Sequence, residues 1–332
     1  MDQSDRRYLR QQLPPFQLEK PYSFSDDADE LREYFTLYGF DQLVEETGAR
    51  YFVGQIKLGG FRCVGHYWQT RVISDQRAQH TVIVCHGLFD HTGLYLKLIK
   101  SLIKAGFSVF MADFPGHGLS EGAPASIDDF SEYAAVVADT SLYLHQQAAP
   151  AALSLVGQST GAAAIMRYLL DQAYGHQIYR IVLLAPLIRP KGWWYIRTAF
   201  PLVNSFTDRI RRKFIKNSND PSFCAFLENS DELQPKYIPL QWLKALFGWV
   251  EWVNYRLESL PNSRSLPTET PALLIQGRKD DTVDGRYNIP VVKKLFANTE
   301  EIWLADGCHH LVNEAEKIRA PMFAAITRFL KP

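Results

Sequence analysis

The sequence predicts an α/β fold with a mostly parallel central sheet, helices on both faces of that sheet and a mainly helical insertion. Three observations carry this reading. From Thr81 onward, apolar strand-length runs alternate with helix-length segments, the pattern of parallel strands joined by crossover helices. Residues able to do chemistry fall just after those runs, where ligands bind in such sheets. Finally, Leu153 to Tyr168, LSLVGQSTGAAAIMRY, reads as strand, sharp turn and helix. At 332 residues the chain can bury a large core, either as one domain or as a core with an insertion.

In chain order, residues 1–50 are polar, with Pro14-Pro15 and an acidic run around Asp26 to Glu30; a short helix is expected over Asp27 to Tyr38. This part reads as an extension packed on the main domain. Tyr51 to Lys57 and Phe61 to Trp68, separated by Leu58-Gly59-Gly60, predict an antiparallel hairpin. The alternation then begins: strand Thr81 to Cys85, helix near Tyr95 to Ala105, strand Ser108 to Ala112, helix near Ile127 to His145, and the unit around Ser159. Later strands are expected at Arg180 to Leu184, Pro271 to Gln276 and Glu301 to Leu304, with an amphipathic helix at the end. The core is expected over 51–188 and 255–332, and the insertion over 189–254.

Gly157-Gln158-Ser159-Thr160-Gly161 matches GxSxG, which arises by chance in about one chain in ten of this length. An apolar strand before it and Ala162-Ala163-Ala164 after it make it a nucleophile elbow, a strained turn whose glycines leave room for close backbone packing. HGLFDHTGLY (His86 to Tyr95), DFPGHGLSEG (Asp113 to Gly122) and GQSTG together resemble the α/β-hydrolase superfamily, in its monoacylglycerol lipase and lysophospholipase branch. The likeness covers most of the chain from about Thr81, except the middle. It implies an α/β-hydrolase fold and a cofactor-independent serine hydrolase acting on a small-molecule acyl ester or lipid. The backbone N–H groups of Leu88 and Thr160 would then form the oxyanion hole.

A serine hydroxyl needs a base, and the base a carboxylate; this fold supplies them in the order Ser, Asp or Glu, His. The family's GxxD selects Asp280 in Gly277-Arg278-Lys279-Asp280; Asp281 stays open as an alternative, and Asp284 reads as the start of the next helix. For the base, counting forward from Gly307 selects His310, whereas counting back from Asn313-Glu314 selects His309. The expectation is His309, because the helix start fixes loop geometry more firmly than loop length does. Cys308 reads as a packed residue. His86, His91 and His117 lack carboxylate or cysteine partners at metal-ligand spacing and are expected to shape loops by hydrogen bonding. Asp113 matches a structural site in the family.

Thirty-six basic residues balance 36 acidic ones, which argues against nucleic acid as the main partner. The four cysteines are scattered and read as free thiols. The first residues lack a secretory apolar core and no run of about 18 apolar residues occurs, so a cytoplasmic location is expected. No metal or cofactor is expected, and oligomeric state is not legible. The 189–254 segment is rich in aromatic residues, from Trp193 to Trp252, and lies where the family inserts a cap; an apolar lid suits an acyl chain, at about 0.8 kcal/mol per buried methylene. Its start is basic (Arg189, Lys191, Arg197, Arg209, Arg211, Arg212, Lys213, Lys216), with Asp208 as the one acid among them. Such a run is ordinarily a solvated face, and the alternative is transient contact with anionic lipid headgroups.

Overall fold

A computed structural model describes residues 1–71, 80–148, 150–171, 178–259 and 268–331. The parts of the expected core and its connections that fall between these ranges lie outside the described residues. An eight-stranded sheet runs in the order β1-β2-β4-β3-β5-β6-β9-β10. β1 (Arg50–Leu58) and β2 (Phe61–Gln69) form the expected hairpin around Gly59-Gly60, and β2 pairs antiparallel with β4 (Ser108–Ala112). All other pairings, through β3 (His80–Cys85), β5 (Ala152–Gln158), β6 (Ile181–Leu184), β9 (Ala272–Gly277) and β10 (Thr299–Leu304), are parallel.

The central strands explain their own composition. Every residue of β3 (HTVIVC), β4 (SVFMA) and β9 (ALLIQG) is buried, because helices cover both faces of a parallel sheet and no alternate position meets water. α4 (Leu96–Lys104) turns Leu98, Ile99, Leu102 and Ile103 inward and packs with α3 (Phe40–Thr47) and α11 (Glu316–Leu330). α5 (Phe130–Gln147), capped by Asp129 on the Ser131 N–H, packs with α6 (Thr160–Leu170) and α9 (Leu240–Ser259). α10 (Gly285–Leu295) links β9 to β10.

The first 50 residues hold more helix than their polarity predicts: α1 (Gln3–Gln12) and α3 join the expected α2 (Asp29–Tyr38). Leu9, Leu13, Leu31, Phe35, Phe40 and Leu43 are buried, while Tyr8 and Leu37 stay exposed. Phe24 stacks on Tyr51 at the start of β1, and Tyr22 and Phe35 meet the same ring edge-on, with Phe40 tilted against it. Between α1 and α2 the chain lies along β1, where Phe16 N–H donates to Gln55 O and Gln55 N–H to Pro14 O. This contact requires glycine at position 54, since a Cβ there would stand 2.5 Å from the Pro14 oxygen.

Between β6 and β9 the chain leaves the sheet to form α7 (Trp193–Asn204), a two-stranded ribbon of β7 (Arg209–Arg211) and β8 (Tyr237–Pro239), α8 (Pro221–Asn229) and α9. α9 anchors this segment. Trp249 Nε1 donates to the Leu187 carbonyl at 3.0 Å, and its ring stacks on Phe130 and Trp252. Among the described residues no helix is long and apolar enough to cross a membrane, and all four cysteines are unpaired. Trp249→Phe keeps an aromatic ring but strands the buried Leu187 carbonyl. A loss of about 1–3 kcal/mol in unfolding free energy is expected, measured by urea denaturation.

Candidate active site

Ser159 sits between β5 and α6 with φ 54° and ψ −112°, a conformation that costs a non-glycine residue about 1–3 kcal/mol. Its surroundings leave it little choice. Ser159 N–H donates to Leu184 O at the end of β6, and Ser159 O accepts from Ala163 and Leu187. Both flanking glycines are sterically required: a Cβ on Gly157 would lie 2.7 Å from Ala162 N, and one on Gly161 would lie 2.1 Å from the Cys85 carbonyl oxygen. Ser159 is only 6% exposed. Thr160 is the first residue of α6, where amide groups have no partner within the helix and the helix dipole favours negative charge.

The turn after β3 abuts this elbow. A Cβ on Gly87 would stand 3.5 Å from Ser159 Cβ, so Leu88 follows directly from a residue in contact with the serine. Asp90 N–H closes the turn onto Gly87 O at 3.2 Å, while Gly87 N–H donates to Asp90 Oδ2 at 3.2 Å and to the Tyr95 hydroxyl at 3.0 Å. His86 donates from Nδ1 to Gly87 O and accepts at Nε2 from Phe114 N–H, which fixes a neutral ring whose pKa burial lowers. His117 donates to Pro115 O, and burial pushes its pKa down to about 3. Asp113 accepts from Thr92 N–H, Thr92 Oγ1 and Leu119 N–H. It organises this loop cluster, and Gly118 is obligatory because a Cβ there would overlap the Asp113 carboxylate.

β9 and β10 deliver the remaining pair. Arg278 N–H donates to Leu304 O and Lys279 N–H to Gly307 O, and the loops touch so closely that a Cβ on Gly277 would lie 2.3 Å from Gly307 O. This contact registers Asp280 against His309. His309 Nδ1 donates to Asp280 Oδ2 at 2.9 Å; Gln276 Nε2 donates to the same oxygen, and the Thr282 and Val283 N–H groups donate to Oδ1. Burial by itself would raise the Asp280 carboxyl, but the His309 charge and these hydrogen bonds hold it below the ordinary carboxylate range. For His309 burial acts downward, and the Asp280 charge and hydrogen bond outweigh it, so the imidazole titrates above its usual value.

The neighbouring candidates lie elsewhere. Asp281 is exposed and pairs with Lys191, while Asp284 caps α10 on Tyr287 N–H and binds Arg189. His310 turns to Asp90, with Nε2 3.2 Å from Oδ1, and packs against Phe223. His91 pairs with Asp231 at 3.2 Å. Cys308 is buried, and burial together with Glu314 pushes its thiol up to about 11. The structure therefore brings Asp280 to His309, and sets Gly87, the residue before Leu88, against Ser159, which Thr160 follows in the chain. The histidine loop reaches the elbow through Val312 N–H, which donates to Gln158 Oε1 at 3.3 Å. Among the described residues His309 bonds Asp280, and no hydrogen bond joins it to Ser159.

Several participants escape sequence reasoning. Asp90 and Tyr95 lie within the HGLFDHTGLY motif, yet nothing local pairs them with Gly87 and His310. Glu314 marks the helix start in the sequence, but its buried carboxylate accepts from Cys308 N–H and Asn219 N–H, tying the histidine loop to the 189–254 segment.

An eight-stranded, mostly parallel sheet with a serine elbow at its centre defines an α/β-hydrolase. The family model described as "Serine aminopeptidase, S33" matches residues 76–316, and the chain belongs to that family. Within it, the likeness is to the monoacylglycerol lipase branch. The chain is 24% identical over 258 residues to the monoglyceride lipase homolog of Monkeypox virus, covering 75% of this chain and 88% of that one. It is 23% identical to the Homo sapiens monoglyceride lipase, with 70% and 76% covered. A soluble variant of the Saccharomyces cerevisiae monoglyceride lipase, solved with a substrate analog, superposes with a TM-score of 0.69 at 18% identity, covering 84% of this chain and 94% of that one. The Paleococcus ferrophilus monoacylglycerol lipase gives 0.62 at 21% identity, with 75% and 93% covered.

The electrostatics of the pair set its titration. NMR of the His309 imidazole is expected to give a pKa above 6.5, falling in Asp280→Asn because the compensating charge is gone. With a raised folded pKa, the pair's contribution to stability through His309 is present below the unfolded value of about 6.5 and is lost as pH rises through the folded one. An Asp280→Asn titration at or above wild type contradicts this account.

Proposed function

We propose that the protein is a serine hydrolase of carboxylic esters, with a monoacylglycerol or lysophospholipid as substrate. The observation that carries the reading is the buried Asp280–His309 bond after β9 and β10, in the same sheet whose β5 ends in the strained Ser159 elbow. Ser159 Oγ attacks the ester carbonyl while His309 Nε2 takes its proton and returns it to the leaving alcohol. Asp280 keeps the imidazole in the Nδ1–H tautomer and stabilises the imidazolium. The Leu88 and Thr160 amides hold the oxyanion, and water then cleaves the acyl-enzyme through the same base. The names of the relatives support a glycerolipid ester, and in this reading residues 189–254 are the cap.

A fluorophosphonate probe is expected to label the wild type and not Ser159→Ala. Rates on p-nitrophenyl esters are expected to rise with acyl length before monoacylglycerols and lysophospholipids are compared. Asp280→Asn is expected to lower kcat by about 10⁴-fold. Labelling that survives in Ser159→Ala removes the nucleophile assignment, amide substrates outpacing esters would move the reading to a peptidase, and an unlabelled, inert wild type would make it a binding protein.

The same reading extends to how a lipid substrate reaches the site. No residue of α7 is buried, and Trp194 and Phe206, 72% and 82% exposed, stand with Tyr195 and Leu202 on a segment that also carries exposed Arg197, Arg209, Arg211, Lys213 and Lys216. Apolar rings interleaved with cations suit transient contact with an anionic bilayer surface. Co-sedimentation with vesicles containing anionic lipid is expected at low salt and is expected to fall in Trp194→Asp. No binding to such vesicles at low salt would end this proposal.

A further inference from the structure

Phe89 lies in the Gly87–Asp90 turn with φ 70°, a left-handed conformation rare for a bulky aromatic and ordinarily given to glycine at such a position. The turn's own bonds, Asp90 N–H to Gly87 O and Gly87 N–H to Asp90 Oδ2, do not involve Phe89. Phe89 is held from outside the turn. Its carbonyl accepts from Gln234 Nε2 at 3.0 Å, and its ring centroid lies 4.1 Å from the Arg212 guanidinium carbon. Both side chains come from the 189–254 segment.

Gln234 is itself braced. Nε2 also donates to Asp231 Oδ2 at 2.8 Å, and Oε1 accepts from Arg212. Asp231, buried, accepts from the Tyr38 hydroxyl of α2 at 2.7 Å and from His91 Nε2 at 3.2 Å. Side chains from α2, the turn's flank and the cap thus converge on one carboxylate beside the strained residue.

We propose that Gln234, braced by Asp231, is a positioning residue that holds Phe89 left-handed and thereby aims the adjoining Leu88 amide at the oxyanion. This rests on the reading of Leu88 as an oxyanion donor. The cap then completes the catalytic machinery as well as covering the substrate, because an amide turned a little aside still allows substrate to bind while losing its grip on the transition state.

The test is Gln234→Met, which keeps side-chain length and removes both donated bonds, assayed with a short p-nitrophenyl ester and a trifluoromethyl ketone that forms a tetrahedral adduct on the serine. The expected result is a kcat lower by about tenfold, short of the 10²–10³ lost with a whole donor, with KM within about twofold. Trifluoromethyl ketone affinity is expected to fall by the same factor as kcat, and the melting temperature to move by no more than a few degrees. A purely structural role would lower the melting temperature without separating inhibitor affinity from KM. Gln234→Asn, with a shorter reach, is the second variant should Met disturb folding, and the exposed Glu228→Gln is the cap control. Unchanged kcat and inhibitor affinity in both Gln234 variants overturns the proposal, as does a rise in KM alone. A wild type that the trifluoromethyl ketone fails to inhibit would instead sink the serine-nucleophile reading on which it rests.

Discussion

Without a Cβ at Gly161, the first turn of α6 packs directly on the Cys85 and His86 carbonyls at the end of β3. That backbone contact decides where much else lies. It sets the strained Ser159, at the start of α6, beside Gly87, the residue before Leu88. A second contact of the same kind, Gly277 against Gly307 and Cys308, registers the acid loop against the histidine loop. Protein interiors are packed densely enough that one added carbon at either junction must displace backbone. The glycines of GxSxG and of Gly277-Arg278-Lys279-Asp280 are therefore demanded by packing, and the chemistry follows from it.

Among the described residues, buried carboxylate–histidine pairs join the loops of the site: Asp280–His309, Asp90–His310 and Asp231–His91. Each joins chain segments far apart in sequence, and each draws its carboxyl below the ordinary range although burial acts the other way. Buried charges are tolerated only when paired and hydrogen-bonded, so the pairs also fix the relative positions of the loops that carry them. Adjacent histidines thereby acquire different surroundings. His309 faces the acid after β9, and His310 faces the turn after β3.

Much of the architecture was legible because it rests on local patterns. Continuous apolar runs marked β3, β4, β5, β6 and β9, the Gly59-Gly60 turn marked the hairpin, and Asp284 marked the start of α10. α1 and α3 were not legible, since they are short and polar and depend on tertiary packing, α3 through Phe40 against Tyr51, His66 and Trp68 and α1 against α2. In the 189–254 segment, composition announced aromatic residues without sorting them. Trp242, Trp249 and Phe223 are buried, whereas Trp194, Tyr195 and Phe206 face outward. Identical residue types take opposite fates because the helices that carry them meet the core at different faces.

The sequence by itself determined the fold class, the elbow and the order of the candidate residues, because strand periodicity, glycine-flanked turns and chain order are local properties. Motif spacing favoured Asp280 over Asp281, and the following helix start favoured His309 over His310, although the two counts for the histidine disagreed by one residue. The tertiary structure decided which of these neighbours meet, as a 2.9 Å bond between Asp280 and His309 and an outward pairing of Asp281 with Lys191. It also drew Asp90, Tyr38, Asp231 and Gln234 around the turn that holds Phe89. A side chain's direction at a strand end depends on which loop lies opposite, and that is settled only when the sheet brings distant segments into register.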